Sequence, residues 1–247
     1  IAGKKILRLH NQVNRLEDDF QRSREDVPTE SFSSIPIGIN ADSLATWFFG
    51  AVQPFLEENQ AVLHLMVEDQ EETHRFLKEG KVLGCVSTRS VPMQGCNMHY
   101  LGDVSYGLFC SPDFYERWFA AGLTHEAIRR APMINFNHKD HLNRKILTRI
   151  LGHSPESFFS FYVPSFELFL DFIKNGLAYG AMPEQQSKVP LDRGIIHDLA
   201  PEHREHVSLY WHCWNLDSDL LRRLSKELIQ GFSTIHKRVQ KDGEKYE

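Results

Sequence analysis

The chain has no Gly-x-x-x-x-Gly-Lys and no Gly-x-Gly-x-x-Gly, so neither phosphate-cradling loop supports nucleotide binding. There is no Gly-x-Ser-x-Gly, which removes the usual support for a serine hydrolase. Cysteine is scarce: Cys85, Cys96, Cys110 and Cys213 are far apart with no Cys-x-x-Cys, a pattern of reduced thiols rather than disulfides or zinc. Histidine is plentiful at 13 copies, but neither His138 with His141 nor His203 with His206 comes with a third ligand at metal spacing, so no metal and no cofactor is expected. Basic charge is not in excess, and a net charge of -5 argues against a large nucleic-acid surface on this chain. No apolar run approaches a membrane span and the N-terminus has no signal-peptide core, so a cytoplasmic protein without membrane contact is expected.

What is present is an ordinary globular composition, 247 residues with 41% hydrophobic and 25% charged, enough for one large domain or two lobes. The stretch Ile35 to Trp47 organises it. Ile35, Ile37 and Ile39 alternate with small residues as a buried strand; Asn40, Ala41 and Asp42 form a corner; Asp42 or Ser43 is the expected N-cap of a helix carrying Leu44, Trp47, Phe48 and Val52 inward. A helix start beyond the carboxyl end of a strand offers backbone N–H groups and the positive end of the helix dipole, which suit a carboxylate. The plainer possibility is that this is only the first βα turn of the domain.

Before that corner, Ile6, Leu9, Val13, Leu16 and Phe20 step by 3 and 4 residues among charged neighbours, a coiled-coil seam expected to pair with a second copy or an upstream segment, within a linker helix at residues 1–25. Pro28 in a polar hinge ends it. After the corner, Val62–Val67 reads as a strand, Gln70–Glu79 as a helix closed by Gly80, and Val82–Ser87 as a third strand: βαβαβ, the pattern of a parallel sheet. The run Met98–Cys110 is long enough to leave one lobe and enter another. There a strand 133–136, helix 141–151, strand 157–163, helix 165–175 and strand 177–182 repeat the pattern. A strand 207–211 and an amphipathic helix 217–236 close the chain. The expected fold is α/β, with two βαβ lobes joined by crossing strands: lobe I from 33–104 plus 210–236, and lobe II from 105–209.

The loops at strand ends would line a crevice between the lobes: Asn40, Ala41, Asp42, Ser43 and Leu44; Glu68 and Asp69; Ser87; Phe136 and Asn137; Ser165 and Glu167. Two helix starts and several carboxylates, with no evident nucleophile, suit a zwitterion with an extra cation: N–H groups for one end, an acid for the other. Asp69 as a plain helix cap is the competing role.

With Asn-Ala-Asp-Ser-Leu-Ala-Thr-Trp at 40–47, Val-Glu-Asp at 67–69 and Tyr-Trp-His at 210–212, the chain resembles over nearly its whole length the effector-binding portion of a LysR-type transcriptional regulator, in the arginine/lysine-responsive subfamily. The resemblance implies a fold like type II periplasmic binding proteins, lysine or arginine as effector in the cleft, and a homodimer through the linker helix, with pairing into tetramers left open. It implies no enzyme activity, and promoter DNA bound only by a winged helix-turn-helix that this chain lacks. Pro164 before Ser165, where a polar residue is expected, is a departure that puts the second lobe's contacts in question. A solute-binding protein for amino acids and a two-lobe enzyme of amino-acid metabolism are the alternative classes; the first lacks its signal peptide, the second an activated Ser or Thr.

Overall fold

The computed structural model describes residues 6, 9–14, 16–17, 32–154 and 158–243, with side chains as far as residue 236. Two compact units emerge, Ile1–Gly102 with Ser208–Glu247, and Asp103–Val207.

In the first unit, Ser33–Ile39 (β1) lies between Ala61–Val67 (β2) and Gly84–Ser87 (β3), parallel to both, and Glu205–Trp214 (β9) runs antiparallel to β3. A strand flanked on both sides must be apolar on both faces, and Ile35, Ile37 and Ile39 are fully buried with Gly38 between them. The chain then turns into Ala41–Ser43 (α1), a π-helical turn Leu44–Phe48, and Phe49–Glu58 (α2) without a break. Trp47, Phe48, Val52 and Phe55 face the core, where Trp47 meets Phe232 edge-on at 4.9 Å. Phe232 belongs to Asp219–Gly243 (α9), whose Leu221, Leu224 and Leu228 are buried beside it. Gly84 sits under the Trp211 indole, and a Cβ there would overlap that ring.

Three boundaries differ from expectation. The N-cap is Asn40, ahead of both Asp42 and Ser43, because the chain leaves extended geometry directly after β1. The helix expected over 70–79 shrinks to His74–Lys78 (α3), with turns over 70–73, since the side chains of Gln70 and Thr73 are buried and spent on neighbouring loops and strands. The third strand begins at Gly84 rather than Val82, and Leu83 N–H instead reaches Pro36 O at 2.8 Å.

In the second unit, Cys96–Cys110 (β4), which enters from the first, pairs antiparallel with Gly180–Pro183 (β7) and with His197–Asp198 (β8). Pro112–Trp118 (α4) and His125–Arg130 (α5) follow, each with a Ser or Thr side chain as N-cap. Met133–Asn135 (β5) pairs parallel with Ser160–Tyr162 (β6), and Leu142–Leu151 (α6) joins them. Phe166–Lys174 (α7) packs Phe169 and Ile173 against Phe109, Ile134, Met182 and Ile196. Both short strands fall inside their expected bounds, and Ser157 lies outside the described residues. The helix Glu184–Asp192 (α8) was not expected, since its apolar residues have no clear period and Pro190 interrupts it.

Of the linker helix, residues 6, 9–14 and 16–17 are helical. Ile6, Leu9, Val13 and Leu16 are exposed, and Phe20 lies outside the described residues. Among the described residues no helix is long and apolar enough to cross a membrane.

Candidate functional site

The register of the first unit's sheet brings three loops to one edge. Ile39 is level with Val67, and Glu68 N–H donates to Ile39 O at 3.1 Å, so Asn40 and Glu68 leave adjacent strands side by side. Ile37 faces Gly84 on the other neighbour, and Asn40 and Ser87 each follow three residues later. Asn40, Glu68 and Ser87 therefore share the carboxyl edge, as open α/β sheets require of a binding site.

The helix start at this edge is unusual in its cap. Asn40 is extended (φ -86°, ψ 156°), yet its side chain makes no cap hydrogen bond to the first turn. Its Nδ2 instead donates to Gln70 Oε1 at 3.5 Å, and its Oδ1 is buried with no hydrogen-bond partner among the described residues. Leu44 N–H closes the first turn on Asn40 O at 3.0 Å. Ser43 is buried, while Ala41, Asp42 and Leu44 are half-buried. The run is 18 residues long from Ala41 to Glu58, so its dipole is fully developed at this end. The π-helical turn at Leu44–Phe48 is a feature that recurs near functional sites.

The acids beside it are folded into the turn they open. Glu68 Oε1 accepts Asp69 N–H at 3.1 Å, and Asp69 Oδ1 accepts Glu71 N–H at 2.8 Å. Asp69 O accepts from Glu72 and Thr73 N–H groups at 2.9 and 3.0 Å, so Asp69 does start the turn that leads to α3. Both acids remain half-buried at the edge. Gln70, which sequence reasoning passed over, ties the loops together: Gln70 O accepts Thr88 N–H at 3.2 Å while its side chain meets Asn40. Its signal in the sequence was only an uncharged residue after two acids. Ser87 is fully buried, and its Oγ accepts Arg89 N–H at 3.0 Å, a turn-forming role.

Behind this edge, buried His212 donates from Nε2 to Arg89 O at 2.8 Å. Burial lowers the pKa of both His212 and His74, and the Arg89 charge adds to the effect in each. The Tyr-Trp-His segment is thus structural: the Tyr210 ring meets Tyr100 at a tilt, centroids 5.4 Å apart, Trp211 Nε1 donates to Ser225 Oγ at 2.9 Å, and His212 pins the Arg89 loop.

In the second unit, Phe136 and Asn137 follow β5, and Ser165 follows β6, its parallel neighbour, so these two loops also share an edge. Asp140 closes the first loop on Phe136 N–H and Leu142 N–H, each at 3.0 Å, and Asn137 Oδ1 accepts Lys139 N–H at 2.7 Å. Ser165 is the N-cap of α7, its Oγ accepting Leu168 N–H at 3.4 Å, and Glu167 is exposed in the first turn. Asn143, also missed, is buried and ties β5 to β7: Nδ2 donates to Ile134 O and Asn135 Oδ1, and Oδ1 accepts Ala181 N–H.

Among the described residues the cysteines lie away from the loops at either edge. All four cysteines are free thiols; burial pushes Cys85 and Cys213 up and Cys110 up to about 12, so these three stay protonated and unreactive. Among the described residues no group of three or more His, Cys, Asp or Glu is arranged to hold a metal ion.

The family described as the LysR substrate binding domain matches residues 33–233. An HTH-type transcriptional regulator ArgP of Aeromonas salmonicida is 38% identical over 229 residues, covering 92% of this chain and 76% of the relative. The crystal structure of ArgP from Mycobacterium tuberculosis superposes with a TM-score of 0.85 at 31% identity, over 94% of this chain and 78% of that one. LysG from Corynebacterium glutamicum, solved at full length with bound effector Arg, gives a TM-score of 0.81 at 26% identity, over 94% and 78% of the two chains. These regulatory domains have the fold of type II periplasmic binding proteins. A family match over most of its length and a 38% identical regulator relative together make this chain the effector-binding portion of a LysR-type transcriptional regulator.

Proposed function

We propose that the chain senses a basic amino acid, lysine or arginine, and passes its occupancy to a DNA-binding domain elsewhere in a cytoplasmic regulator. The observation that carries this reading is the juxtaposition of a helix start without a side-chain cap (Asn40–Ser43) with two half-buried acids (Glu68 and Asp69) on the adjacent strand end. The α-carboxylate would be held by Ser43 and backbone N–H groups of the first turn ahead of Leu44, whose own N–H is bonded to Asn40 O, and the cationic side chain by Asp69, with Glu68 as second choice. The bound effector Arg of the related LysG supports the ligand class. In the second unit, Phe136, Asn137, Ser165 and Glu167 stand as candidate contacts of lower weight, since Ser165 already caps α7.

Thermal unfolding tests it. A ligand at a hundredfold over its Kd adds about 2.7 kcal/mol, and about 2 to 4 °C accompanies each kcal/mol in a chain of this length. Lysine or arginine should raise Tm by several degrees, while glutamate and leucine leave it unchanged. No shift with either basic amino acid at millimolar concentration would overturn the assignment.

The same reading makes the protein a homodimer. Ile6, Leu9, Val13 and Leu16 present an apolar stripe to solvent, although Asn11 Nδ2 donates to Gly80 O at 2.7 Å and anchors that helix to the first unit. A stripe so exposed calls for a partner helix. Sedimentation should give at least a dimer that weakens when residues 1–25 are removed, and a monomer at tens of micromolar (~50 µM) would count against the seam.

A further inference from the structure

The second unit holds a pair of histidines that effector binding does not use. His125 is the first residue of α5, placed by Thr124, whose Oγ1 caps that helix on Ala127 N–H at 3.2 Å. His153 follows Gly152, which ends α6 in the left-handed conformation (φ 76°) and so turns the chain back toward α5. The two imidazoles lie nearly parallel, 13° apart with centroids at 4.5 Å, and their Nε2 atoms face each other in direct contact. Both residues are exposed. The nearest acid in sequence, Glu126, is drawn to Arg130 at 3.5 Å.

The tautomer follows from the next bond out. His153 Nδ1 lies 3.0 Å from Leu151 O, one of the last carbonyls of α6, and only a protonated nitrogen donates there. The neutral His153 ring therefore carries its lone pair on Nε2, toward His125. A ligating histidine is oriented in the same way, its far nitrogen donating to a carbonyl. In one His125 tautomer its Nε2–H donates to that lone pair; in the other both rings present lone pairs, and a cation between them satisfies both. Nitrogens bound cis to one divalent ion at about 2.0–2.1 Å stand roughly 3 Å apart, which a small opening of two exposed rings provides.

We propose that His125 and His153 form a two-histidine site for a first-row divalent ion of the imidazole-preferring kind, Zn²⁺, Ni²⁺ or Cu²⁺, with water completing its shell. It is separate from the amino-acid site and does not depend on it. Affinity follows the order Zn²⁺ and Ni²⁺ below Cu²⁺.

Calorimetric titration of the full chain with Ni²⁺ and Zn²⁺ at neutral pH should show one saturable equivalent. Losing an outer-shell partner alone weakens metal sites by about 10–100-fold, so His125→Ala and His153→Ala should each weaken this event by more than about tenfold. Because the chain has 13 histidines, pulsed electron paramagnetic resonance with Cu²⁺ supplies a second readout: two equatorial imidazoles in the parent, and one in either variant. Both substitutions are at exposed positions, and an unchanged melting curve without metal confirms an intact fold. Absence of saturable binding, or binding and spectra in the double variant equal to the parent's, overturns the proposal.

Discussion

Two strand-to-helix corners, one in each unit, start from similar sequence and end differently. In the second unit, Ser165 caps α7 with its own hydroxyl, accepting Leu168 N–H. In the first, Asn40 stands at the same cap position and gives its amide to Gln70 on another loop, leaving the first turn without a side-chain cap. An N-cap bond satisfies one of the unpaired N–H groups of a helix start; withholding it leaves that group for the carboxylate of the proposed ligand. The lesson is that a good capping residue in a sequence says where a helix starts, and the tertiary partner of that residue says whether the start is closed or receptive.

The comparison breaks most decisively at the acids. Removing an acid that pairs with a desolvated cation costs about 2 to 5 kcal/mol, so Asp69→Asn should weaken lysine and arginine binding by well over tenfold. It should also flatten the preference for basic over neutral amino acids. Asn replaces Asp in the turn with Glu71 N–H at little cost. If calorimetry finds lysine bound as in the parent, Asp69 serves only its turn and the cation is recognised by Asp42, by Glu68 or by the second unit. Ser43→Ala comes next, at about 1.5 to 3 kcal/mol for one hydrogen bond to a charged group; it should weaken all amino acids alike and leave the preference standing.

Ser165→Ala probes the closed corner. Loss of its cap should cost about 1 kcal/mol of stability, read as a fall in Tm of about 2 to 4 °C, with lysine affinity unchanged. A tenfold loss of affinity (about 1.4 kcal/mol) would make this corner receptive too.

The smallest effect separates the units by pH. His74 and His212 both lie in the first unit, and burial lowers their pKa values in the folded chain below 6.5. The unfolded chain thus takes up protons first as pH falls below that value, so the stability due to their neutral forms is complete above about 6.5 and drains below it. Hydrogen exchange at pH 7.5, 6.5 and 5.5 (values spanning roughly one unit either side of 6.5) should show β3 and β9 losing protection first, more weakly in His212→Gln.

Much of this was legible in the residues. Ile35, Ile37 and Ile39 announced β1, Leu221, Leu224 and Leu228 announced α9, and the run at 40–47 carried the family, because hydrophobic period and short motifs are local properties. Helix boundaries at 70–73 and the helix at 184–192 were not legible: the first depends on where Gln70 and Thr73 find partners, the second has no apolar period to read. The sequence by itself determined an α/β chain whose first three strands are parallel, with acids and a helix start at strand ends. Only the tertiary structure decided that Asn40 bonds to Gln70 rather than to its own helix, that Ser87 and Ser165 are spent on turns and caps, and that His125 meets His153. Each of these is a choice among hydrogen-bond partners far apart in sequence, and such choices are set by strand register and packing, which no local pattern encodes.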